Sequence, residues 1–175
     1  MTRVIGGTAG GRPLRVPSGR GTRPTSNRAR EGLFSSLGDL AGARVLDLYA
    51  GSGAVGLEAL SRGAEHATLV EADPRAAAVI RANALALGLP GADVVADRVL
   101  RHLAGVRDEA FDVVFLDPPY ADPIVDVLAA VVAWARGTVV VERASRDPAL
   151  TWPDGLEGLR QRRYGEATLW YGRRS

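Results

Sequence analysis

The chain contains no cysteine and no lysine, and it has only two histidines. Without cysteine there is no disulfide framework, thiol nucleophile or thiolate metal site, and without lysine there is no Schiff base and no Walker-type phosphate loop. His66 and His102 are isolated in the sequence, so a zinc site is not expected. No apolar run approaches the length of a membrane span, and residues 1–16 lack the apolar segment of a signal peptide. We therefore expect a cytoplasmic protein with no metal centre.

All 22 basic residues are arginine, and they are unevenly distributed. Residues 1–30 contain seven arginines and no acidic residue, residues 155–175 contain five arginines and two acids, and the middle of the chain is acidic. This distribution is typical of a catalytic body with basic edges that bind a polyanion, although a solvated basic surface without a ligand would look the same. The candidate phosphate-binding residues in the first segment are Arg3, Arg12, Arg15, Arg20, Arg23, Arg28 and Arg30.

At 175 residues the chain has the size of one well-buried domain. From residue 44 onward strand-like and helix-like segments alternate, which predicts an α/β fold with a parallel sheet covered by helices on both faces. The predicted strands are 44–48, 67–71, 93–96, 111–117, 138–142, 159–164 and 168–172, and the predicted helices between them are 54–62, 74–87, 98–103 and 123–135. Ahead of this core we expect a hairpin over residues 3–17, a flexible basic loop over 18–24, and a helix from Thr25 or Ser26 to Gly42.

The most informative stretch is a buried strand that ends in Asp117-Pro118-Pro119-Tyr120. The two prolines stop the strand and stiffen the turn, which fixes a carboxylate, a carbonyl and an aromatic ring at the strand's carboxyl end. In open α/β sheets ligands bind at that edge. An exocyclic amine on a flat base needs two acceptors, which Asp117 and the Pro118 carbonyl offer, and a ring to stack on, which Tyr120 offers. A simple strand-to-helix turn with an Asp cap would have the same sequence.

A glycine-rich turn follows the first core strand and matches the pattern G-x-G-x-x-G at Gly51, Gly53 and Gly56. The residues of this turn that we expect to contact a nucleotide-like cofactor are Ala50, Gly51, Ser52 and Gly53. Glu71 ends the next strand, where an acid can hold ribose hydroxyls. Asp73 is the alternative ribose acid, but its place before a proline favours a helix cap.

Two further acids favour S-adenosylmethionine over a dinucleotide. Asp47 stands just ahead of the glycines, where a carboxylate suits an ammonium group and would repel a pyrophosphate. Asp97 closes the third strand beside Arg98, where it can accept from an adenine amino group; a helix-capping role for Asp97 stays open. The turn alone would fit an NAD-dependent oxidoreductase equally well.

The motifs D-x-Y-A-G-S-G, V-E-A-D and D-P-P-Y in this order resemble those of class I S-adenosylmethionine-dependent amino-methyltransferases. The front segment Arg23–Phe34, with the opening R-V-I-G-G, is similar to that of bacterial 16S ribosomal RNA guanine-N2 methyltransferases of the RsmD type. The resemblance implies a Rossmann-like, seven-stranded, mostly parallel sheet with an antiparallel member in the last pair. It also implies a single target, guanine 966 of 16S RNA in the small subunit.

On this interpretation the chain has a basic extension, residues 1–24, and a methyltransferase domain, residues 25–175. We expect the protein to be a monomer and its substrate to be 16S RNA in a partly assembled small subunit. We also expect that a chain beginning at Arg23 still folds, because every core element remains. A DNA adenine-N6 or cytosine-N4 methyltransferase is the nearest alternative, because the same corner suits those amines. A non-catalytic RNA-binding module that keeps a relic cofactor fold is another.

Overall fold

A computed structural model describes residues 1–19, 25–107, 109–119 and 121–175. Arg20, Arg23 and most of the loop predicted for residues 18–24 lie outside these residues, and so does the predicted stacking residue Tyr120. The helices are α1 (Asn27–Leu37), α2 (Ala54–Ser61), α3 (Pro74–Leu87), α4 (Val99–Leu103) and α5 (Ile124–Val131). The strands are β1 (Arg44–Leu48), β2 (His66–Glu71), β3 (Ala92–Ala96), β4 (Phe111–Leu116), β5 (Ala135–Ala144), β6 (Leu156–Tyr164) and β7 (Ala167–Arg174).

The strands form one seven-stranded sheet in the order β3-β2-β1-β4-β5-β7-β6. The first five are parallel, whereas β7 is antiparallel to both β5 and β6. The prediction of a mostly parallel sheet with an antiparallel member in the last pair is therefore confirmed. The chain goes from β1 outward to β3 on one side and returns on the other side through β4. The carboxyl ends of β1 and β4 thus meet at the topological switch point, where ligands bind in sheets of this kind.

Helices cover both faces of the sheet because the buried strands alternate their side chains between two cores. On one face α1, α2 and α3 pack against residues such as Val45, Leu69 and Phe115. On the other face α4 and α5 pack against residues such as Leu46 and Leu116. Neither α1 nor any other helix in the described ranges has the length and hydropathy that crossing a membrane requires.

The first helix begins as predicted but ends earlier. Ser26 is its N-cap, and the Ser26 side chain accepts a hydrogen bond from the Ala29 backbone N–H at 3.1 Å. The helix ends at Leu37, because Gly38 takes a positive φ of 72° that leaves the helical conformation. The prediction that Gly42 ends this helix was wrong by one helical turn.

The N-terminal segment, residues 1–19, is tied to the core, and the two arms of the predicted hairpin pair only in part. Arg3 and Pro13 form an antiparallel bridge, and the Val4 and Leu14 N–H groups donate across it to the Arg12 and Thr2 carbonyls, each at 2.9 Å, without extending to a regular strand among the described residues. Its side chains Val4, Ala9 and Leu14 are buried in the core shared with α1, α2 and α3. Because it contributes three side chains to the common core, this segment is a part of the folded domain. We therefore expect a chain without it to be less stable, contrary to the expectation from the sequence.

A buried acid of α2 fastens the same segment. Glu58 is fully buried and accepts backbone hydrogen bonds from Ile5 at 2.7 Å and Gly6 at 2.8 Å, and it pairs with Arg62 at 2.8 Å. Ser61 adds a bond to the Ala9 N–H at 2.9 Å. Because a buried carboxylate needs these partners, loss of the segment would leave Glu58 largely unsatisfied.

Candidate functional site

Four acids stand in a row across the carboxyl ends of four neighbouring parallel strands. They are Glu71 on β2, Asp47 on β1, Asp117 just after β4, and Glu142 on β5. Each acid lies two residues after a strand residue that packs into the core of α1, α2 and α3. Because alternate strand residues share a face, the four acids are on the α1, α2 and α3 side of the sheet. We call these four residues the carboxylate row. Three of them were predicted as site residues; Glu142 was not.

Asp47 lies deepest in the row. It pairs in register with Leu69 and Phe115, which places it two residues deeper in the sheet than the other three acids, and it is only 2% exposed. Its Oδ2 accepts a hydrogen bond from the Gly56 N–H at 2.9 Å. Burial raises the pKa of Asp47 to about 7, an effect that the Gly56 bond opposes and the charge of Glu71 reinforces. A cationic ligand at this position would favour the ionised form.

Asp117 and Glu142 are neighbours at the ends of β4 and β5. Leu116 pairs with Val141, so each acid is the next residue on its own strand. Burial, followed by the charges of Glu142 and Asp47, raises the pKa of Asp117 to about 7. The pKa of Glu142 is raised as well by burial, although a hydrogen bond from the Thr25 hydroxyl to Glu142 Oε2 at 2.7 Å opposes this. Two carboxyl groups this close disfavour full ionisation of both.

The glycine turn has the conformation that its sequence predicts. Gly51 and Gly53 have positive φ values of 60° and 81°, and a Cβ on Gly51 would meet open space, so the turn exposes its backbone at this point. Ala50 donates its N–H to the Val70 carbonyl at 3.0 Å, which holds the turn against β2. Ser52 is buried, and its carbonyl accepts from the Asn83 side chain at 3.2 Å.

Glu71 connects the row to this turn. Its Oε2 accepts from the Gly51 N–H at 2.8 Å, and its Oε1 accepts from the Asp73 N–H at 3.1 Å. Asp73 caps α3 through the Arg75 N–H at 2.9 Å, which confirms the predicted capping role. Glu71 is therefore the acid that lies against the glycine turn.

Asp97 and Arg98 lie at the end of β3, at the same edge of the sheet. The Asp97 N–H donates to the Glu71 carbonyl at 3.1 Å, and Asp97 Oδ1 accepts from the Arg98 N–H at 2.8 Å. Arg98 precedes α4 as its N-cap residue and is exposed. The structure thus places both predicted cofactor residues beside Glu71.

A cavity of about 380 Å³ opens beside the other end of the row. Asp117 and Glu142 line it from the sheet, Ser26 lines it from the start of α1, and Arg143, Tyr164 and Glu166 complete its wall. Tyr164 reaches this place because α1 has a glycine opposite it: a Cβ on Gly32 would lie 2.2 Å from the Tyr164 hydroxyl oxygen.

The Asp-Pro-Pro corner is tied to the glycine turn through a strained tyrosine. Tyr49 has a φ of 63°, a left-handed conformation that is uncommon for an aromatic residue. Its hydroxyl donates to Asp122 Oδ2 at 2.7 Å, and the Asp122 N–H donates to the Pro119 carbonyl at 3.1 Å. These two bonds hold the end of β1 and the segment after β4 together at the switch point.

The predicted phosphate-binding arginines are not equivalent. Arg3, Arg12, Arg15 and Arg28 are exposed. Arg12 also donates to the Ala86 carbonyl at 2.6 Å, near the end of α3. Arg28 is in the first turn of α1, two residues after Ser26 in the cavity wall.

Arg30 corrects the sequence-based assignment. Its side chain is fully buried, and its Nη2 donates to the Arg3 carbonyl at 2.6 Å and to Asn27 Oδ1 at 2.8 Å. A residue in this position cannot contact a phosphate. The nearby charge of Glu58 explains why a guanidinium is found here, since burial lowers the pKa of Arg30 and Glu58 opposes that effect.

The C-terminal arginines form an exposed strip on the edge strand β6. Arg160, Arg162 and Arg163 are exposed and lead along the strand to Tyr164 in the cavity wall. The Arg160 guanidinium lies over the Tyr171 ring at 4.8 Å, a cation–π contact that holds it in place. The strip connects the basic C-terminal region to the cavity.

Residues that sequence reasoning missed include Glu142, Thr25 and Tyr164. A signal for Glu142 was present, because V-V-V-E repeats the pattern of an apolar strand followed by an acid that identified Asp117. No local pattern distinguishes Thr25 or Tyr164, whose roles depend on partners far away in the chain. The tryptophans have packing roles: Trp134 is buried, and Trp152 and Trp170 pack against the same core.

Comparison with known proteins gives a consistent result. A family model described as Conserved hypothetical protein 95 matches residues 2–173. Ribosomal RNA small subunit methyltransferase D of Escherichia coli (strain K12) is 44% identical over 119 residues, which cover 67% of this chain and 60% of the relative. The Haemophilus influenzae protein of the same name is 32% identical over 171 residues, covering 93% of this chain and 89% of the relative.

Solved structures support the same assignment. That of yhhF from Escherichia coli superimposes with a TM-score of 0.88 at 31% identity, covering 99% of this chain and 97% of the other. A hypothetical protein from Thermus thermophilus gives a TM-score of 0.81 at 38% identity over 98% of both chains. The fold is that of the class I methyltransferases, and the chain belongs to the Conserved hypothetical protein 95 family, that of the RsmD-type ribosomal RNA methyltransferases.

Proposed function

We propose that this protein transfers a methyl group from S-adenosylmethionine to the exocyclic N2 of one guanine in 16S ribosomal RNA. The observation that carries the proposal is the position of Asp117. This acid directly follows β4 at the switch point, between the glycine turn on one side and an open cavity on the other. An amine acceptor between a cofactor turn and a base-sized cavity is the arrangement that amino methylation requires.

The residues at the switch point fit S-adenosylmethionine. The carboxylate row gathers negative charge beside the exposed backbone of Gly51, which would repel a pyrophosphate and suits a ligand with a sulfonium and an ammonium group. Asp47 would face the cationic part, Glu71 the ribose hydroxyls, and Asp97 with Arg98 the adenine. When bound, S-adenosylmethionine supplies an electrophilic methyl group on a sulfonium.

The corner positions the guanine amine. Its nitrogen is a weak nucleophile because the lone pair is delocalised into the ring. Asp117 and the Pro118 carbonyl accept its two hydrogens, which favours a tetrahedral nitrogen whose lone pair is free to attack. Pro118 and Pro119 cannot donate backbone hydrogen bonds, so no N–H competes for the carboxylate at this point. Tyr120 follows the corner and is the proposed stacking surface for the base.

The RNA is held by its backbone. The exposed arginines of the N-terminal segment, with Arg20, Arg23 and Arg28, would contact phosphates, and the arginine strip of β6, which leads to Tyr164 in the cavity wall, would contact them beside the cavity. Such contacts position RNA without reading its sequence. The base must leave its stack to enter the cavity, as in other enzymes that modify bases. We propose 16S RNA in a partly assembled small subunit as the partner, and a monomer in the cytoplasm as the active form.

The test is an Asp117→Ala substitution assayed with unmethylated 16S RNA and with small subunits that contain it. We expect methyl transfer to fall by about two orders of magnitude or more, since one preorganised partner of the transition state is lost. Affinity for S-adenosylmethionine should change far less. Asp126→Ala is the matched control, because this acid is exposed on α5. Transfer at the control rate in Asp117→Ala would refute the role of the corner.

A further inference from the structure

Glu142 is a half-buried acid that the proposed chemistry does not use. It lies next to Asp117 across the β4–β5 pair, and both side chains line the same cavity. The three residues before it, Val139 to Val141, are fully buried. An apolar side chain would continue this strand at lower cost, because burying a carboxylate beside another carboxylate is unfavourable. A requirement for a second acid at this position would explain its presence.

The surroundings of Glu142 hold it in a defined orientation. Thr25, itself 8% exposed, donates its hydroxyl to Glu142 Oε2 at 2.7 Å. Thr25 directly precedes Ser26, the N-cap of α1, so the start of that helix fixes the contact. One carboxylate oxygen is thus fixed from behind the cavity wall. A carboxylate has two oxygens and about four acceptor sites, so Glu142 retains capacity to accept from a base in the cavity.

Two adjacent acceptors match only one of the common amino-bearing bases. On guanine, the ring N1–H and the exocyclic N2 hydrogens are neighbouring donors on the Watson–Crick edge. On adenine and cytosine, the amino group is next to a ring nitrogen that is itself an acceptor. Facing an ionised carboxylate, that lone pair would be repelled and left without a donor, which costs more than a missing contact. The two neighbouring donors of guanine in turn favour the ionised form of both acids.

We propose that Glu142 selects guanine by accepting its N1–H while Asp117 accepts from N2. The inference rests on the proposed function and extends it, since it assigns base choice to a residue separate from the methyl-transfer corner. It also separates guanine-N2 transfer from adenine-N6 and cytosine-N4 transfer, which the Asp-Pro-Pro-Tyr motif alone does not. Reading the Watson–Crick edge of an extruded base is the usual basis of such selection.

The experiment compares wild type with Glu142→Gln on two acceptors. One is the small-subunit RNA with guanine at the methylated position, and the other carries 2-aminopurine there, introduced by ligation. 2-Aminopurine keeps the N2 amine but has an acceptor at N1. Each RNA is supplied both free and in reconstituted subunits. The methylation rates are compared in whichever of these two forms the wild type methylates. Glu65→Gln is the matched control, because Glu65 is exposed at the opposite end of β2.

We expect Glu142→Gln to slow guanine methylation by about 10- to 100-fold, because the Thr25 hydroxyl holds the amide oxygen and leaves the NH2 group, a donor, facing N1–H. The rate ratio of guanine to 2-aminopurine should fall by about tenfold or more, because the Gln amide can donate to N1. A purely structural role of Glu142 would slow both acceptors equally. Cofactor affinity should match that of Glu65→Gln.

The outcomes separate the two proposals. An unchanged rate ratio in Glu142→Gln, with guanine methylated by the wild type, would overturn the role of Glu142 and leave the proposed function intact. If the wild type methylates adenine or cytosine in these RNAs, both proposals fail. If the wild type methylates no base although it binds S-adenosylmethionine, the proposed function fails and the role of Glu142 fails with it.

Discussion

Arg30 offers a prediction in which a structural role and an RNA-binding role give opposite results. Arg30→Ala removes two hydrogen bonds from a buried guanidinium, to the Arg3 carbonyl and to Asn27. It also removes a positive charge near Glu58, which is fully buried. Arg28→Ala, two residues earlier on the exposed face of α1, is the matched control.

The magnitude follows from these contacts. Hydrogen bonds to charged groups contribute about 1.5–3 kcal/mol each, and truncation of the side chain leaves a cavity. The substitution also removes the cost of burying a charged guanidinium, which offsets part of this loss of stability. This cost is high for Arg30, because its Nε and Nη1 have no hydrogen-bond partner among the described residues. We therefore expect a net loss of about 2–4 kcal/mol in the free energy of unfolding, equivalent to a fall in Tm of roughly 4–16 °C for a domain of this size.

The assay has two readouts for each variant: thermal or urea unfolding, and RNA affinity over a salt series at a temperature where all variants are folded. Arg30→Ala should lose stability and keep the salt slope of the wild type. Arg28→Ala should stay within about 0.5 kcal/mol of the wild type in stability and lower the slope by about one unit. A stable Arg30→Ala with a reduced slope would refute the structural assignment.

Three further predictions concern the acids and the N-terminal segment. Because ionised Asp117 is the stronger hydrogen-bond acceptor and its pKa is raised to about 7 by burial and by Glu142 and Asp47, the rate of methyl transfer should rise as the pH increases through about 7; a rate that falls over this range would contradict its role as acceptor. Glu71→Ala should weaken S-adenosylmethionine binding by about 1–3 kcal/mol in calorimetry, and binding of NAD in its place would refute the cofactor assignment. Deletion of residues 1–22 removes three core side chains, so the truncated protein should unfold at least ~10 °C lower; an unchanged Tm would show that the segment is an independent appendage.

The central sheet could be predicted because its information is local. Each parallel strand is a short apolar run, and the acids at 47, 71, 97 and 117 stand at or near the ends of these runs. Parallel topology then brings the ends to one edge of the sheet, so a linear pattern becomes a site. Glu142 has the same local signal, since the predicted strand 138–142 ends at it, but no turn motif such as Asp-Pro-Pro-Tyr follows it to mark it as a site residue.

What could not be predicted depends on distant partners. Arg30 and Arg28 look alike in a basic segment, and only the packing of α1 against Arg3 and Glu58 separates a buried guanidinium from an exposed one. The N-terminal segment reads as a hairpin because it has two short apolar stretches around glycines. Its arms pair only in part, and its backbone also bonds to side chains of α2 more than 50 residues away, such as Glu58.

The measurement that tests the central claim most directly is the identity of the methylated nucleoside. Purified protein, labelled S-adenosylmethionine and unmethylated 16S RNA, free and in small subunits, are incubated, and the digested nucleosides are identified by mass. We predict N2-methylguanosine at one position, produced by the wild type and reduced by about two orders of magnitude or more with Asp117→Ala. N6-methyladenosine, N4-methylcytidine or no methylated nucleoside from a protein that binds the cofactor would contradict the account.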